Sequence, residues 1–300
     1  SGSYIFRPNG PPSPVSQTVN YFVVNKGPLF EEAIIRGNFY SYSVRLFKHA
    51  QLDHRFIELN FDISPLQGNY ELVTRLAVSK GASNGQQDSS PHLITFDGLQ
   101  FLKRKVYERA PLAGHFYPAV AGAMLLVNSQ STMTSQLSAL IPHCMAVTAV
   151  DNELEFMIHR RLMADDGRGM SQANNDEAAL QFTMLLSYDS SREFEDLWPN
   201  LHAKSHILNN PITLYKSEHI DYLQSAFKPI TFDSISNGGK KQQELAEAET
   251  SHVQIISMKP RDYSSDDVII RLHNFDHTRA KQIQLATIFN KKLFVLESVR

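Results

Sequence analysis

Residues 154–162 read Leu154-Glu155-Phe156-Met157-Ile158-His159-Arg160-Arg161-Leu162. Leu154, Phe156 and Ile158 fall on one side of an extended chain, and Glu153, Glu155 and His159 on the other. That period of two belongs to a half-buried strand and not to a helix. The same alternation runs through SYSVRLF (41–47), RFIELNFDI (55–63) and NYELVTRLAV (69–78). Turn chemistry separates these runs: PNGPPSP, SPLQGN, APLAG and SNGG. Many short strands divided by Gly and Pro, with few helical patterns, predict a mainly β protein with a large antiparallel β-sandwich.

The organisation follows from composition. The polar stretch 79–91 reads as a loop, and 234–250 as a second polar bridge. Strand-like runs resume after it with HVQIISM, VIIRLHNF and KLFVLESV. We expect a main sandwich over residues 1–190, a connecting region over 191–250 and a smaller terminal β unit over 251–300. KKQQELAEAET (240–250) is the best helical candidate and reads equally well as a charged loop.

Several function classes drop out. Net charge is −2 with no long basic run, so nucleic-acid binding has little support. No apolar stretch approaches the roughly 20 residues of a membrane helix. The first residues lack the basic and apolar regions of a signal peptide, so a targeting element, if one exists, is expected outside this chain. P-loop, GxGxxG and GxSxG patterns are missing. Cys144 is the single cysteine, which rules out an intrachain disulfide or a thiolate metal site. Its apolar setting, IPHCMAV, predicts a buried core residue. His202 and His206 have i, i+4 spacing but no third ligand beside them, and so read as a surface or core pair and not as a zinc site.

The stretch with the most chemistry is RRLMADDGRG. Asp165 and Asp166 are adjacent carboxylates, but neighbours in extended chain point to opposite faces. A retaining glycosidase instead holds its two carboxyl groups roughly 5 Å apart about one bond. The pair is expected to brace the turn and to pair with Arg160, Arg161 or Arg168. Arg168 lies between Gly167 and Gly169, which permit a tight loop that projects the guanidinium. Its planar fork suits carboxylates or sugar hydroxyls. A structural salt-bridge corner and a ligand contact both fit.

ELEFMIHRRLMADDGRGM resembles a signature of the glycoside hydrolase family 38 α-mannosidases. SGSYIFRPNGPPSPV, GLQFLKRK (98–105) and APLAGHFYP (110–118) resemble further blocks of the family in its own order. The GLQFLKR form is nearer the family's Golgi α-mannosidase II branch than its lysosomal branch. Departures occur at His115-Phe116, and at Thr95-Phe96-Asp97-Gly98, where the family carries a longer Thr-Asp-x-Asn-Gly run.

The resemblance implies a galactose-mutarotase-like sandwich in the C-terminal β region of a retaining, zinc-containing α-mannosidase that trims mannose from N-glycans. It implies that zinc and the aspartate nucleophile belong to an N-terminal α/β domain, and that this chain binds no metal and supplies no catalytic residue. Tyr4 and Arg168 are implied to reach the mannose pocket, with Asp165, Asp166 and Arg161 supporting the loop. Tyr117 reads as a packing residue. The implied partners are the α/β domain and a mannose-containing glycan. The implied compartment is the Golgi lumen, with lysosome or secretory pathway as alternatives. A catalytically inactive carbohydrate-binding or scaffold relative is the other reading.

Overall fold

The computed structural model describes residues 10, 12–15, 19–48, 55–77, 92–105, 112–128, 134–150, 153–165, 167, 171–189, 197–211, 253–263 and 267–275. Tyr4, Asp166 and Arg168 lie outside them, as do the stretches 79–91 and 240–250. The chain divides into two compact units, Ser1–Pro211 and Ile212–Arg300.

The first unit is built from antiparallel strands, as the alternation predicts. They are β1 (Tyr21–Lys26), β2 (Phe30–Arg36), β3 (Tyr40–Phe47), β4 (Ile57–Ile63), β5 (Tyr70–Ala77), β6 (His92–Phe96) and β7 (Phe101–Lys103). After these come β8 (Tyr117–Ala119), β9 (Gly122–Asn128), β10 (Thr134–Leu140), β11 (Met145–Val150), β12 (Glu153–Arg161) and β13 (Leu180–Asp189). Nine of them form one sheet in the order β1-β2-β3-β4-β13-β10-β9-β6-β7, and four form a second, β5-β12-β11-β8.

The main core lies between the sheets. Leu59, Leu125, Ala139 and Met184 from the nine-stranded sheet meet Val147, Leu154, Phe156 and Ile158 from the four-stranded one. Leu154, Phe156 and Ile158 are the inward residues that the alternation of 154–162 anticipates. Burial of a side chain such as Phe156 stabilises by roughly 1.5–3 kcal/mol. The alternation then breaks. A register shift between Met157 and His159 brings His159 opposite Leu72, and one extra residue reverses the parity of the strand beyond it. His159 consequently leaves the face of Glu153 and Glu155. It is buried, with Nε2 3.2 Å from the Ala178 carbonyl oxygen.

A second core covers the opposite face of the large sheet. Helix α1 (Trp198–Asn209) starts with proline in its first turn, where the missing N–H costs nothing. Its Leu201 packs with Phe96, Met124, Leu126 and Leu140. Phe101 stacks on Phe96 and on Trp198, each at 4.4 Å. His202 is buried with Nε2 3.2 Å from the Leu99 carbonyl oxygen, and its ring stands edge-on to Phe96. Hydropathy alone gives α1 little signal, because His202 and Ser205, which it buries beside Leu201, are polar.

The GLQF block now has a structural reason. Asp97 Oδ1 accepts the backbone N–H groups of Leu99 (2.8 Å) and Gln100 (2.6 Å). Gly98 takes φ 98°, which a Cβ would disfavour. The turn so made delivers Phe101 onto α1. Tyr117 is a packing residue, as anticipated: it lies against the main core and donates its hydroxyl to the Lys105 carbonyl. Cys144 corrects the sequence reading. It is exposed, because it ends the turn between β10 and β11, where the chain reverses and side chains leave the core.

In the second unit the described residues include one hairpin, β14 (Val253–Pro260) with β15 (Val268–Asn274). No helix among the described residues is long and apolar enough to cross a membrane.

Candidate functional site

The loop after β12 is tied down at its base by Arg161. Its Nη1 donates to the Leu66 carbonyl at 2.7 Å, its Nε to Asn175 Oδ1 at 2.7 Å, and its Nη2 to Glu177. One guanidinium thereby joins the β4–β5 turn to both ends of the loop, using the fixed fork that lysine lacks. The Leu162 N–H donates to the Asn174 carbonyl at 3.0 Å, closing the loop across its neck. The turn before β5 meets it from the other side. Asn69, at φ 64°, accepts the Met163 N–H on Oδ1 at 2.9 Å. Met163 fills the space beside Gly68, where a Cβ would lie 2.4 Å from Met163 Cγ.

Inside the loop, Asp165 Oδ2 accepts the Gly167 N–H at 3.1 Å, and Gly167 takes φ 70°. Asp165 thus caps the start of this turn. Glu71 pairs with Arg160 and Glu177 with Arg161, while Asp166 and Arg168, the other members of the expected salt-bridge corner, lie outside the described residues. The β12–β5 register sets Arg160 directly opposite Glu71, and the ion pair there closes at 2.6 Å. Burial pushes the Glu71 carboxyl above its ordinary range, while Arg160 pulls it back. Both partners are mostly shielded from water, so each needs the other.

Arg161 holds the base of the loop through Leu66, Asn175 and Glu177. Sequence reasoning missed Asn69, Asn175 and Glu177. The SPLQGN turn is the signal for Asn69, because asparagine tolerates the left-handed conformation. Nothing local marks Glu177, whose role comes from the return of the chain to β13.

Near this loop the sheets part. A cavity of about 340 Å³ opens between β3–β4 and β5–β12. Phe39, Tyr42, Phe61 and Ile63 line one wall, Leu72 and Ile158 the other. Tyr42 lies 5.1 Å from Phe61, which stacks on Phe182 at 4.7 Å. Burial raises the Tyr42 hydroxyl above its usual value. The walls are apolar and aromatic, with few groups to orient a polar ligand.

Among the described residues no group of three or more His, Cys, Asp or Glu side chains converges as a metal site. His202 is buried beneath α1, whereas His206 is exposed on it, where Asn210 Nδ2 donates to His206 Nδ1 at 3.2 Å.

Comparison with known proteins points in one direction. An α-mannosidase of Canavalia ensiformis is 30% identical over 195 residues, covering 60% of this chain and 18% of that protein. Alpha-mannosidase 2 of Drosophila melanogaster is 31% identical over 173 residues, covering 57% and 14%. Alpha-mannosidase 2 of Homo sapiens is 24% identical over 245 residues, covering 77% and 20%. The match falls in the C-terminal part of these proteins. This chain therefore spans about a fifth or less of the length of the relatives it matches. No family model matches.

Proposed function

We infer that this chain, which is similar to the C-terminal β region of the glycoside hydrolase family 38 α-mannosidases, walls the mannose pocket of such an enzyme. The observation that carries this reading is the loop anchored by Arg161. Asp165 and Gly167 shape its tip, immediately before Arg168. A loop fixed at its neck by four hydrogen bonds to Leu66, Asn69, Asn174 and Asn175 suits a residue that must meet a ligand with little conformational cost.

On this reading Arg168 and Tyr4 hydrogen-bond at the sugar. Zinc and the aspartate nucleophile come from a preceding α/β domain, and the bound sugar is a terminal α-mannose of an N-glycan. The chain itself contributes no catalytic residue and binds no metal. The complete enzyme works in the Golgi lumen, or elsewhere on the secretory route including the lysosome.

Hydrolysis of an aryl α-mannoside tests this. The purified chain is expected to be inactive with or without added zinc. Joined to the catalytic domain it supports turnover, and Arg168→Ala then lowers kcat/KM by about 10²-fold, the scale of one lost charge-assisted contact in the transition state. Turnover by the chain alone would place the nucleophile within these residues. Inactivity that no catalytic domain relieves would favour a carbohydrate-binding relative that has lost catalysis.

A further inference from the structure

We propose that His159 is a positioning residue for the loop after β12: it pins the returning chain, residues 174–178, against the strand that launched the loop. On the pocket-wall reading, on which this inference rests, it thereby sets where the loop meets the sugar.

The bulge in β12 puts the ring in place. Before it Met157 faces Val73, after it His159 faces Leu72, and Ile158 is the extra residue between them. Residues directly opposite in an antiparallel pair share a face. Leu72 packs against the main core, so His159 turns to that side beside Ile158. A strand running on without the bulge would set His159 opposite Glu71, on the other face. The extra residue thus brings an imidazole inward where the chain passes from one sheet to the other. Its Nε2 lies 3.2 Å from the Ala178 carbonyl oxygen. A carbonyl only accepts, so this ring nitrogen carries the proton. Ala178 leads into β13 at Leu180, in the nine-stranded sheet, while His159 belongs to the four-stranded one. One side chain therefore ties the two layers together at the foot of the loop.

Residues 174–178 depend on such ties, because among the described strands none pairs with them. Leu162 donates its N–H to the Asn174 carbonyl, and Arg161 reaches Asn175 and Glu177. Those contacts are open to water: the Glu177 side chain is 64% exposed. His159 is only 8% exposed, and a bond from a buried donor is stronger than one that water competes for. Between the clamped ends, Ser171 holds φ 56°. Serine enters that left-handed region at a cost and keeps it where the surrounding chain is fixed.

Limited trypsin digestion of the 300-residue chain, with cut sites read by mass spectrometry, tests the clamp. His159→Ala should speed cleavage after Arg168 about 3- to 10-fold, the scale of one hydrogen bond. Cleavage after Arg45, in a strand paired on both sides, needs the sheet to come apart and should not keep pace. His159→Gln keeps a side-chain N–H donor and should restore the original pattern. An equal rise at both sites, or a glutamine variant no better than alanine, would make His159 an ordinary core residue and overturn the proposal. A second arm reads activity, in the chain joined to the catalytic domain. There His159→Ala should lower kcat/KM for an aryl α-mannoside by about 3- to 10-fold, with recovery in His159→Gln. Added to Arg168→Ala it should cost nothing further, because both changes act through one contact. A loss in Arg168→Ala without one in His159→Ala would overturn the positioning role and leave the pocket reading standing. No loss in either would sink the pocket reading, and the digestion then decides the clamp by itself.

Discussion

The two ends of the nine-stranded sheet are made of the same material and live in different environments. At one end, β9, β10 and β13 are covered on one face by β11 and β12 and on the other by α1. Ala123, Met124, Leu125, Ala139 and Leu140 there are fully buried. At the other end an apolar row runs outward from Phe61 through Tyr42 and Ile35, all half-buried, to the exposed Phe22. The four-stranded sheet is too narrow to reach that far. The lesson is that apolar pattern specifies a face, while coverage depends on how many strands the opposing layer brings.

The opposite face of β1–β4 makes the contrast sharper. It is polar and tied together. Arg45 bridges Glu32 at 2.9 Å and Glu58 at 2.7 Å, and Asn60 links Glu58, Ser43 and Thr183. These pairs are partly shielded from water. What the open end owes to them is register, because each fixes one cross-strand row.

Core truncation should separate the ends most clearly. Phe156→Ala leaves a cavity in the closed half and is expected to cost about 3–5 kcal/mol. Phe22→Ala in the open half should cost within about 0.5 kcal/mol. Urea denaturation of each variant measures both, and equal losses would erase the distinction. Next comes Arg75→Leu. Arg75 Nε meets the buried carboxylate of Glu155 at 2.6 Å, and its loss strands that charge at a cost of roughly 3 kcal/mol. Arg75→Leu with Glu155→Gln should recover much of it.

Two glycines offer a finer test. A Cβ at Gly122 would lie 2.6 Å from the Ala139 carbonyl oxygen, which is backbone and cannot yield, so Gly122→Ala should cost about 1–3 kcal/mol. At Gly37 in the open half the obstacle is the Tyr40 ring at 2.2 Å. A ring can swing aside, and Gly37→Ala should stay within about 0.5 kcal/mol.

The smallest effect is one of pH. Burial holds the His143 imidazole below its ordinary value, against the edge of Phe182 at 5.3 Å. A base with a depressed folded pKa favours the fold fully above its unfolded value, near 6.5. That contribution is lost as pH falls through the folded value. Melting temperatures compared near pH 8 and pH 5 should show a smaller acid loss in His143→Gln. An unchanged slope would assign the acid sensitivity to other groups.

Much of the fold was legible because a strand reports itself locally. Leu154, Phe156 and Ile158 alternate and are buried, and GLQF carries its own turn instructions in Asp97 and Gly98. The loop was legible in part. Arg161 and Asp165 could be picked out as supports, but their partners could not, since Leu66 and Glu177 reach Arg161 only after β4, β5 and β13 have assembled. The bulge at His159 was invisible for a similar reason: it is a property of pairing with β5, not of β12 alone. Helix α1 escaped because the side chains it buries are polar as often as apolar.

The sequence by itself determined the strand periods, the turns and the resemblance to the α-mannosidases, since each is written in neighbouring residues. Only the tertiary structure decided which partners Arg161 takes, where Cys144 faces, and that, among the described residues, one end of the large sheet is covered and the other open. Those outcomes depend on groups far apart in the chain, whose meeting is set by register and by the width of the layer opposite.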